Sequence, residues 1–110
     1  MQRIETLPPV TEAQFQNRTI QLAKGCGWRV YHTHDSRRSE AGFPDLVLVK
    51  GSVIAFVELK SERGKVSPEQ TTWMQILHDA ACHPKGRVYT RVWRPHDTDE
   101  IEAFLTEKGR

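Results

Sequence analysis

The chain has 110 residues, which is enough to bury one core but too few for a second, so a single domain spanning 1–110 is expected. Its 16 basic and 14 acidic residues give a net charge of +2, so any nucleic-acid-binding basic surface must be local. The longest apolar run, 53–57, is far too short to cross a bilayer. The first residues lack the apolar core of a signal peptide, which predicts a reduced, cytoplasmic setting, that of a bacterial host if the protein is phage-encoded.

A helix is predicted after an irregular arm of residues 1–10. Thr11 and Gln14 have the spacing of a capping box, in which each side chain bonds to the backbone N–H of the other residue, so the helix should begin at Thr11. The glycines on either side of Cys26 should end it. Its predicted inward stripe consists of Phe15, Thr19, Leu22 and Ala23.

The next segments are typical of strands. Residues 28–34 predict a short strand, and the polar segment 35–42 predicts a loop. Two β-branched runs, 44–49 and 53–60, then flank a turn centred on residues 51–52, which predicts a hairpin.

The turn type decides which residues of this hairpin face each other. If residues 51–52 form a two-residue type II′ turn, Asp45 faces Glu58 across the hairpin. Directly opposed residues of antiparallel strands have Cβ atoms about 4.5–5.5 Å apart, and alternation puts Lys60 on the same face as Glu58. Other turn registers would shift this pairing, so the contact depends on the turn.

Two further helices and one strand complete the chain. Ser67 is the predicted N-cap of a helix that ends near His83, residues 87–93 predict a strand, and Asp97 is predicted to cap a last helix. The positions expected to be buried are Trp73, Ile76, Leu77 and Ala80 in the first of these helices and Ile101, Phe104 and Leu105 in the second.

The strand at 53–59 decides the fold class. Both of its faces are apolar, which requires a central position in the sheet with helices on both sides. With the element order α-β-β-β-α-β-α, we expect an α/β fold, a three-layer α/β/α sandwich around a central mixed β-sheet.

Asp45 and Glu58 are carboxylates in the most apolar part of the chain. Two like charges so close are unfavourable unless a divalent cation lies between them, which makes the pair a candidate metal site. Mg²⁺, or Mn²⁺ in its place, prefers oxygen ligands, and the carbonyl of Leu59 is a further candidate. Twelve residues separate Asp45 from Glu58-Leu59-Lys60, a pattern that matches metal-dependent phosphodiesterases. Lys60 would orient or deprotonate the attacking water, or stabilise the transition state.

Simpler explanations stay open. Asp45 can be a strand-end residue at the turn made by Pro44, with Glu58 and Lys60 a solvated pair. The basic residues of the flanking loops can grip phosphates on either side of the scissile bond or only be solvated. These residues are Arg37, Arg38, Arg63 and Lys65.

A zinc site is the other metal hypothesis. His78 and Cys82 have the i,i+4 spacing that suits zinc, and His83 follows them directly. No second pair of ligands completes the set, so this hypothesis has weaker support.

Three motifs together resemble a known family. Gly42-Phe43-Pro44-Asp45-Leu46, then Glu58-Leu59-Lys60, then Ser67-Pro68-Glu69-Gln70 are similar to the virus-type replication-repair nuclease (VRR-NUC) domain, a branch of the restriction-endonuclease-like PD-(D/E)xK superfamily. The resemblance runs from about Thr11 to Pro95. It implies a core order α-β-β-β-α-β, which agrees with the order predicted above.

The resemblance also implies roles for individual residues. By analogy with the family, metal ligands are Asp45, Glu58 and Glu12, and the other catalytic-site residues are Lys60 and Gln70. Two of these have structural alternatives. Gln70 can bond back to Ser67 in a capping box, and the helix macrodipole favours Glu12 at a helix N-terminus.

The resulting expectation is an enzyme. We expect a Mg²⁺-dependent, structure-selective DNA endonuclease, similar to Holliday-junction resolvases in DNA repair, that hydrolyses phosphodiester bonds of branched DNA as a homodimer and needs no membrane or small-molecule cofactor. The alternatives are a catalytically silent nucleic-acid-binding or subunit module with the same fold and a zinc-stabilised interaction domain. The opposed carboxylates argue against a silent module, because they repel phosphate unless a cation lies between them.

Overall fold

Alternating apolar residues build a four-stranded sheet, and helices flank it. The computed structural model describes residues 10–34, 40–81 and 86–109. The elements are α1 (Glu12–Gly25), β1 (Arg29–His32), β2 (Leu46–Lys50), β3 (Val53–Leu59), α2 (Pro68–Ala81), β4 (Val88–Trp93) and α3 (Thr98–Glu107). A short 3₁₀ turn, Pro95–Asp97, joins β4 to α3 and was not predicted. The predicted element order is confirmed.

The sheet is mixed, as predicted. Its strand order is β1-β2-β3-β4, with β1, β2 and β3 antiparallel and β4 parallel to β3. Lys50 pairs with Val53, which confirms the two-residue hairpin register. Gly51 has a φ of +59° at the first position of the turn, a conformation that glycine adopts without strain.

The main core lies on one face of this sheet. Alternate β3 residues, from Val53 to Leu59, pack against α1 and α3, and the Trp28 indole N–H donates to the Leu105 carbonyl at 2.9 Å. The opposite face carries Phe56, which meets Phe43 edge to face, and Phe43 in turn meets Trp73 of α2. Helices therefore lie on both sides of the sheet, and the predicted α/β/α sandwich is confirmed.

The predicted buried face of α2 is wrong. No residue of this helix is buried, Ile76 is 54% exposed and Ala80 is exposed, while Trp73 and Leu77 are half-buried. The helix lies chiefly over β4, so its apolar stripe meets only part of the sheet. Leu22 of α1 is also exposed, at the rim of a groove between α1 and α3, whereas Phe15, Thr19 and Ala23 are buried as predicted.

Two element ends also differ from the prediction. The first strand ends at His32 rather than His34. Asp97 makes no side-chain cap to α3, because its carboxylate accepts the backbone N–H of Arg94 at 2.8 Å instead. The predicted arm lies outside the described residues except for Val10, which packs against the core. No helix in the described ranges is long and apolar enough to span a membrane.

Gly42 places the segment that leads into β2 against the start of α2. Its φ is +93°, and a Cβ built there would lie 2.5 Å from the backbone carbon of Glu69. Both the backbone conformation and the close approach therefore require glycine. Gly42 lies three residues before Asp45, so this contact fixes the entry of the carboxylate segment into the sheet.

We expect Gly42→Ala to lower the free energy of unfolding by about 1–3 kcal/mol, since it adds left-handed strain and a backbone collision. Gly25→Ala is the matched control, because a Cβ there would meet nothing within 4 Å in the last turn of α1. That variant should be neutral or up to about 1 kcal/mol more stable. Urea unfolding of both variants tests this, and equal stabilities would contradict it.

Candidate active site

The candidate residues meet at one end of the sheet. Asp45 lies one residue before β2, Glu58 and Leu59 end β3, and Lys60 follows directly. Because Leu46 pairs with Val57, the register continued by one residue places Asp45 opposite Glu58. The first turns of α1 and α2 carry Glu12 and Gln70, respectively.

Asp45 is held by backbone on both sides. Its Oδ2 accepts the backbone N–H of Leu59 at 2.8 Å, so the side chain continues the ladder where β2 has not yet begun. Its own carbonyl accepts the Thr33 N–H at 2.8 Å, and the Thr33 hydroxyl donates to Pro44. The role of Thr33 was missed, because the sequence gives no signal for this tertiary contact.

The same hydrogen bond orients the Leu59 carbonyl. In an antiparallel ladder the N–H and C=O of one residue point to the same neighbouring strand. Since the Leu59 N–H points to Asp45, its carbonyl faces the same side of β3, where no β2 residue pairs with it. This oxygen therefore points to the side of β3 on which Asp45 lies, and its role as a metal ligand stays a prediction.

Glu58 is the buried centre of the site. Its side chain is 1% exposed. Oε2 accepts a hydrogen bond from Gln70 Nε2 at 2.7 Å and lies 3.6 Å from Lys60 Nζ. Oε1 is buried without a hydrogen-bond partner among the described residues. A buried carboxylate oxygen left in this way is costly and calls for a cation or a proton.

The pKa of Glu58 also indicates that this carboxylate needs a cation or a proton. The pKa of Glu58 is raised from 4.5 to about 8, chiefly by burial and then by the charge of Asp45, while the ammonium of Lys60 opposes the shift. The Asp45 carboxylate, which could accept a hydrogen bond from a protonated Glu58, and the charge of Glu12 also favour the protonated form. The metal-free site therefore takes up a proton that a bound divalent cation would displace.

These donors fit a hard cation. Asp45 and Glu58 supply carboxylate oxygens, and Leu59 adds a carbonyl, which is the ligand chemistry of Mg²⁺ and Mn²⁺. No group of three or more His, Cys, Asp or Glu side chains is placed to hold a metal within residues 10–34, 40–81 and 86–109. A metal at this position would therefore depend on backbone oxygen and water to complete its coordination.

Glu12 lies at the edge of this arrangement. It is exposed in the first turn of α1, where the macrodipole favours a negative charge. Its charge still contributes to the raised pKa of Glu58. It does not join Asp45 and Glu58 in a ligand group of three, so its role as a metal ligand stays a prediction.

Gln70 caps α2 and also contacts the Glu58 carboxylate. Its Oε1 accepts the Ser67 backbone N–H at 2.8 Å, and its own N–H donates to Ser67 Oγ at 3.1 Å, which completes a capping box. Its Nε2 is then free to donate to Glu58. One amide therefore fixes the start of α2 and one oxygen of the central carboxylate.

The predicted DNA-contacting residues are only partly described. Arg63 and Lys65 are exposed in the loop after Lys60, close in sequence to the site. Arg37 and Arg38 lie outside the described residues, as do Cys82 and His83 of the zinc hypothesis. His78 is exposed on α2.

The fold and the site together define an α/β domain with a candidate hard-metal centre at one sheet end. The family model of the VRR-NUC domain matches residues 9–89. The chain therefore belongs to the VRR-NUC domain family, a nuclease family. A search of curated proteins found no match. A solved structure described as a VRR_NUC domain protein is similar, with a TM-score of 0.66 and 16% identity over 92% of this chain and 89% of that chain. At that identity it supports the fold alone.

Ser67→Ala and Gln70→Ala separate the two roles of Gln70. Both remove part of the capping box, so each should cost about 1 kcal/mol of stability. Only Gln70→Ala also frees Glu58 Oε2, so only this variant should lower the cleavage rate of the folded protein. Urea unfolding and single-turnover rates distinguish them. Equal rates in the two variants would reduce Gln70 to a helix cap.

The raised pKa of Glu58 predicts a pH-dependent stability. Between pH 4.5 and about 8 the folded metal-free protein holds a proton that the unfolded chain has lost, so the free energy of unfolding should fall as the pH rises through this range. Added Mg²⁺ should restore stability at the alkaline end. Urea unfolding in EDTA at several pH values measures the effect.

Glu58→Gln is the control for this measurement, since it keeps the size and an acceptor for Gln70 but cannot titrate. The pKa of His96 is also raised, by its hydrogen bond to Glu62 and by the charge of Asp97, so His96 contributes a similar slope in both proteins. The difference between the two pH curves isolates Glu58. Identical curves would show that Glu58 does not hold the proton.

Proposed function

We propose that this protein is a metal-dependent DNA endonuclease that hydrolyses phosphodiester bonds. The single observation that carries the proposal is the buried Glu58 beside Asp45, with one carboxylate oxygen unpartnered among the described residues and a Lys60 ammonium 3.6 Å from the other. A domain that only binds DNA gains nothing from buried carboxylates that repel phosphate. Membership in a nuclease family supports the same function.

The chain's own residues divide the work. Asp45, Glu58 and the Leu59 carbonyl would hold Mg²⁺ or Mn²⁺, which when bound polarises the phosphate and makes water more acidic. Gln70 keeps the Glu58 carboxylate in one orientation. Lys60, which is 12% exposed, has its ammonium beside the Glu58 carboxylate, where it can orient the attacking water or stabilise the developing negative charge.

The DNA backbone is the expected ligand of the exposed loop residues. Arg63 and Lys65 follow Lys60 within a few residues and can neutralise phosphates next to the scissile bond. Arg37 and Arg38 are proposed for the same role from the sequence. Phosphate contacts of this kind carry no sequence preference, which suits an enzyme that selects DNA by its shape.

We further propose a four-way junction as the preferred DNA and a homodimer as the active form. A junction has approximate two-fold symmetry, so paired cuts require two sites related by the same symmetry. A stable dimer should bury about 1,200–2,000 Å². Light scattering measures its mass, and a monomer that cuts junctions in matched pairs would contradict the dimer.

Asp45→Asn and Lys60→Ala should each lower cleavage by about 100-fold or more while leaving folding and DNA binding largely intact, because both groups act on the transition state. Asn keeps an oxygen that can accept the Leu59 N–H, so Asp45→Asn removes charge rather than structure. Lys24→Ala, an exposed lysine in the last turn of α1, is the neutral control.

The assay uses labelled junction, flap, duplex and single-stranded DNA, each with and without Mg²⁺ or Mn²⁺. Metal-dependent cutting of junctions by the wild type supports the full proposal, and cutting of another DNA corrects the substrate only. Near wild-type cleavage by either site variant would contradict the mechanism. DNA binding without cleavage of any substrate would support the catalytically silent module instead.

A further inference from the structure

The loop that follows the catalytic lysine candidate is held from outside the site. The Lys60 N–H donates to the Trp93 carbonyl at 3.0 Å, and after this bond the chain leaves the sheet. A turn closes inside the loop, where the Gly64 N–H donates to the Ser61 carbonyl at 3.2 Å. The loop then runs to Ser67, the N-cap of α2. Such a segment needs side-chain contacts to keep one conformation.

Arg94 supplies these contacts. Its Nη1 donates to the carbonyls of Ser61 and Gly64, both at 2.7 Å, and lies 3.3 Å from the carbonyl of Glu62. One nitrogen carries two hydrogens, so the two short contacts are the principal bonds and the third is shared. Hydrogen bonds from a charged donor are stronger than neutral ones. Three backbone oxygens are thus gathered around one guanidinium nitrogen.

Arg94 is itself fixed at the end of β4. Its backbone N–H donates to the Asp97 carboxylate at 2.8 Å, and its carbonyl accepts the Asp97 N–H at 2.9 Å. It directly follows Trp93, whose carbonyl binds Lys60. Arg94 and Lys60 therefore lie directly after the ends of two neighbouring strands, β4 and β3.

The loop reaches the Lys60 side chain through Gly64. A Cβ built on Gly64 would lie 3.5 Å from Lys60 Cδ and 2.9 Å from Ser61 Oγ, so the backbone of Gly64 lies close to the aliphatic part of the Lys60 side chain. The lysine side chain has four rotatable bonds and therefore many rotamers. Loop backbone beside this side chain limits the positions that the Lys60 ammonium can reach.

We propose that Arg94 is a positioning residue that holds the loop 61–64 against the stem of Lys60 and thereby keeps the ammonium beside Glu58. The inference rests on the proposed nuclease function and adds a residue to its mechanism. Arg94 has no contact with the reacting atoms, so its effect on the reaction passes through Lys60. A second link, between His96 Nδ1 and Glu62 Oε1 at 2.6 Å, is exposed and should contribute little.

The first test needs no nuclease activity. Trypsin cleaves after Arg63 and Lys65, and both bonds lie in or next to the clamped loop. Arg94→Gln should speed native-state cleavage at these two bonds by about tenfold or more, without an equal change at bonds elsewhere, because the loop opens locally. Arg94→Lys should restore part of the protection. His96→Ala, which removes the exposed link and a 3.2 Å contact with Asp97 but leaves the bonds of the Arg94 guanidinium in place, is the control and should resemble the wild type.

The second test measures the reaction. Arg94→Gln should lower kcat by about tenfold or more and change KM for DNA by less than about threefold, with partial rescue by Arg94→Lys. In a Lys60→Ala background, Arg94→Gln should cause no further loss, because its effect depends on the lysine. A purely structural role predicts equal losses in both backgrounds.

The outcomes separate the two proposals. If the wild type cleaves no DNA with either metal, the proposed function fails, while the trypsin result still decides whether Arg94 holds the loop. If the wild type cleaves and Lys60→Ala does not, but Arg94→Gln has a normal kcat, the positioning role alone is overturned. Unchanged trypsin cleavage in Arg94→Gln would show that Arg94 does not hold the loop 61–64.

Discussion

The burial of Glu58 beside Asp45 is the constraint on which the rest of the site depends. A carboxylate in this position is unfavourable unless a proton or a cation compensates it, and the raised pKa expresses that cost. The surrounding contacts each satisfy one part of the pair. Gln70 and Lys60 approach one oxygen of Glu58, and the Leu59 N–H binds Asp45. Among the described residues they leave one buried oxygen of Glu58 without a partner, and the proposed metal would compensate it.

The site forms where the β2–β3 ladder ends, because β3 runs two residues beyond Val57, the partner of Leu46. The Asp45 backbone faces β1, where its carbonyl accepts the Thr33 N–H, so it is the Asp45 side chain that accepts the Leu59 N–H. The early end of the ladder frees a backbone carbonyl and an acidic side chain together. Two kinds of candidate oxygen ligand, a carboxylate and a backbone carbonyl, thereby lie at the same end of the sheet.

The first turns of α2 carry both the contacts that hold this helix in place and a residue of the candidate site. It buries no residue completely, so its position depends largely on its first turns, where Gly42 approaches Glu69, Phe43 contacts Trp73 and Gln70 caps the helix. The same region carries the amide that orients Glu58. Stability and function therefore share residues here, and changes at this end of α2 affect both.

The sequence by itself determined the element order, because this depends on local periodicity, and it favoured a two-residue turn whose hairpin register the structure confirms. It also located both polar roles of Gln70 without choosing between them. Only the tertiary structure decided how far α2 covers the sheet, where Leu22 and Ile76 lie, and that Arg94 gathers a loop 30 residues away in sequence. Which residues are buried depends on which surfaces pack against each other. Helical periodicity shows which residues share one face of a helix, but not how much of that face a neighbouring element covers.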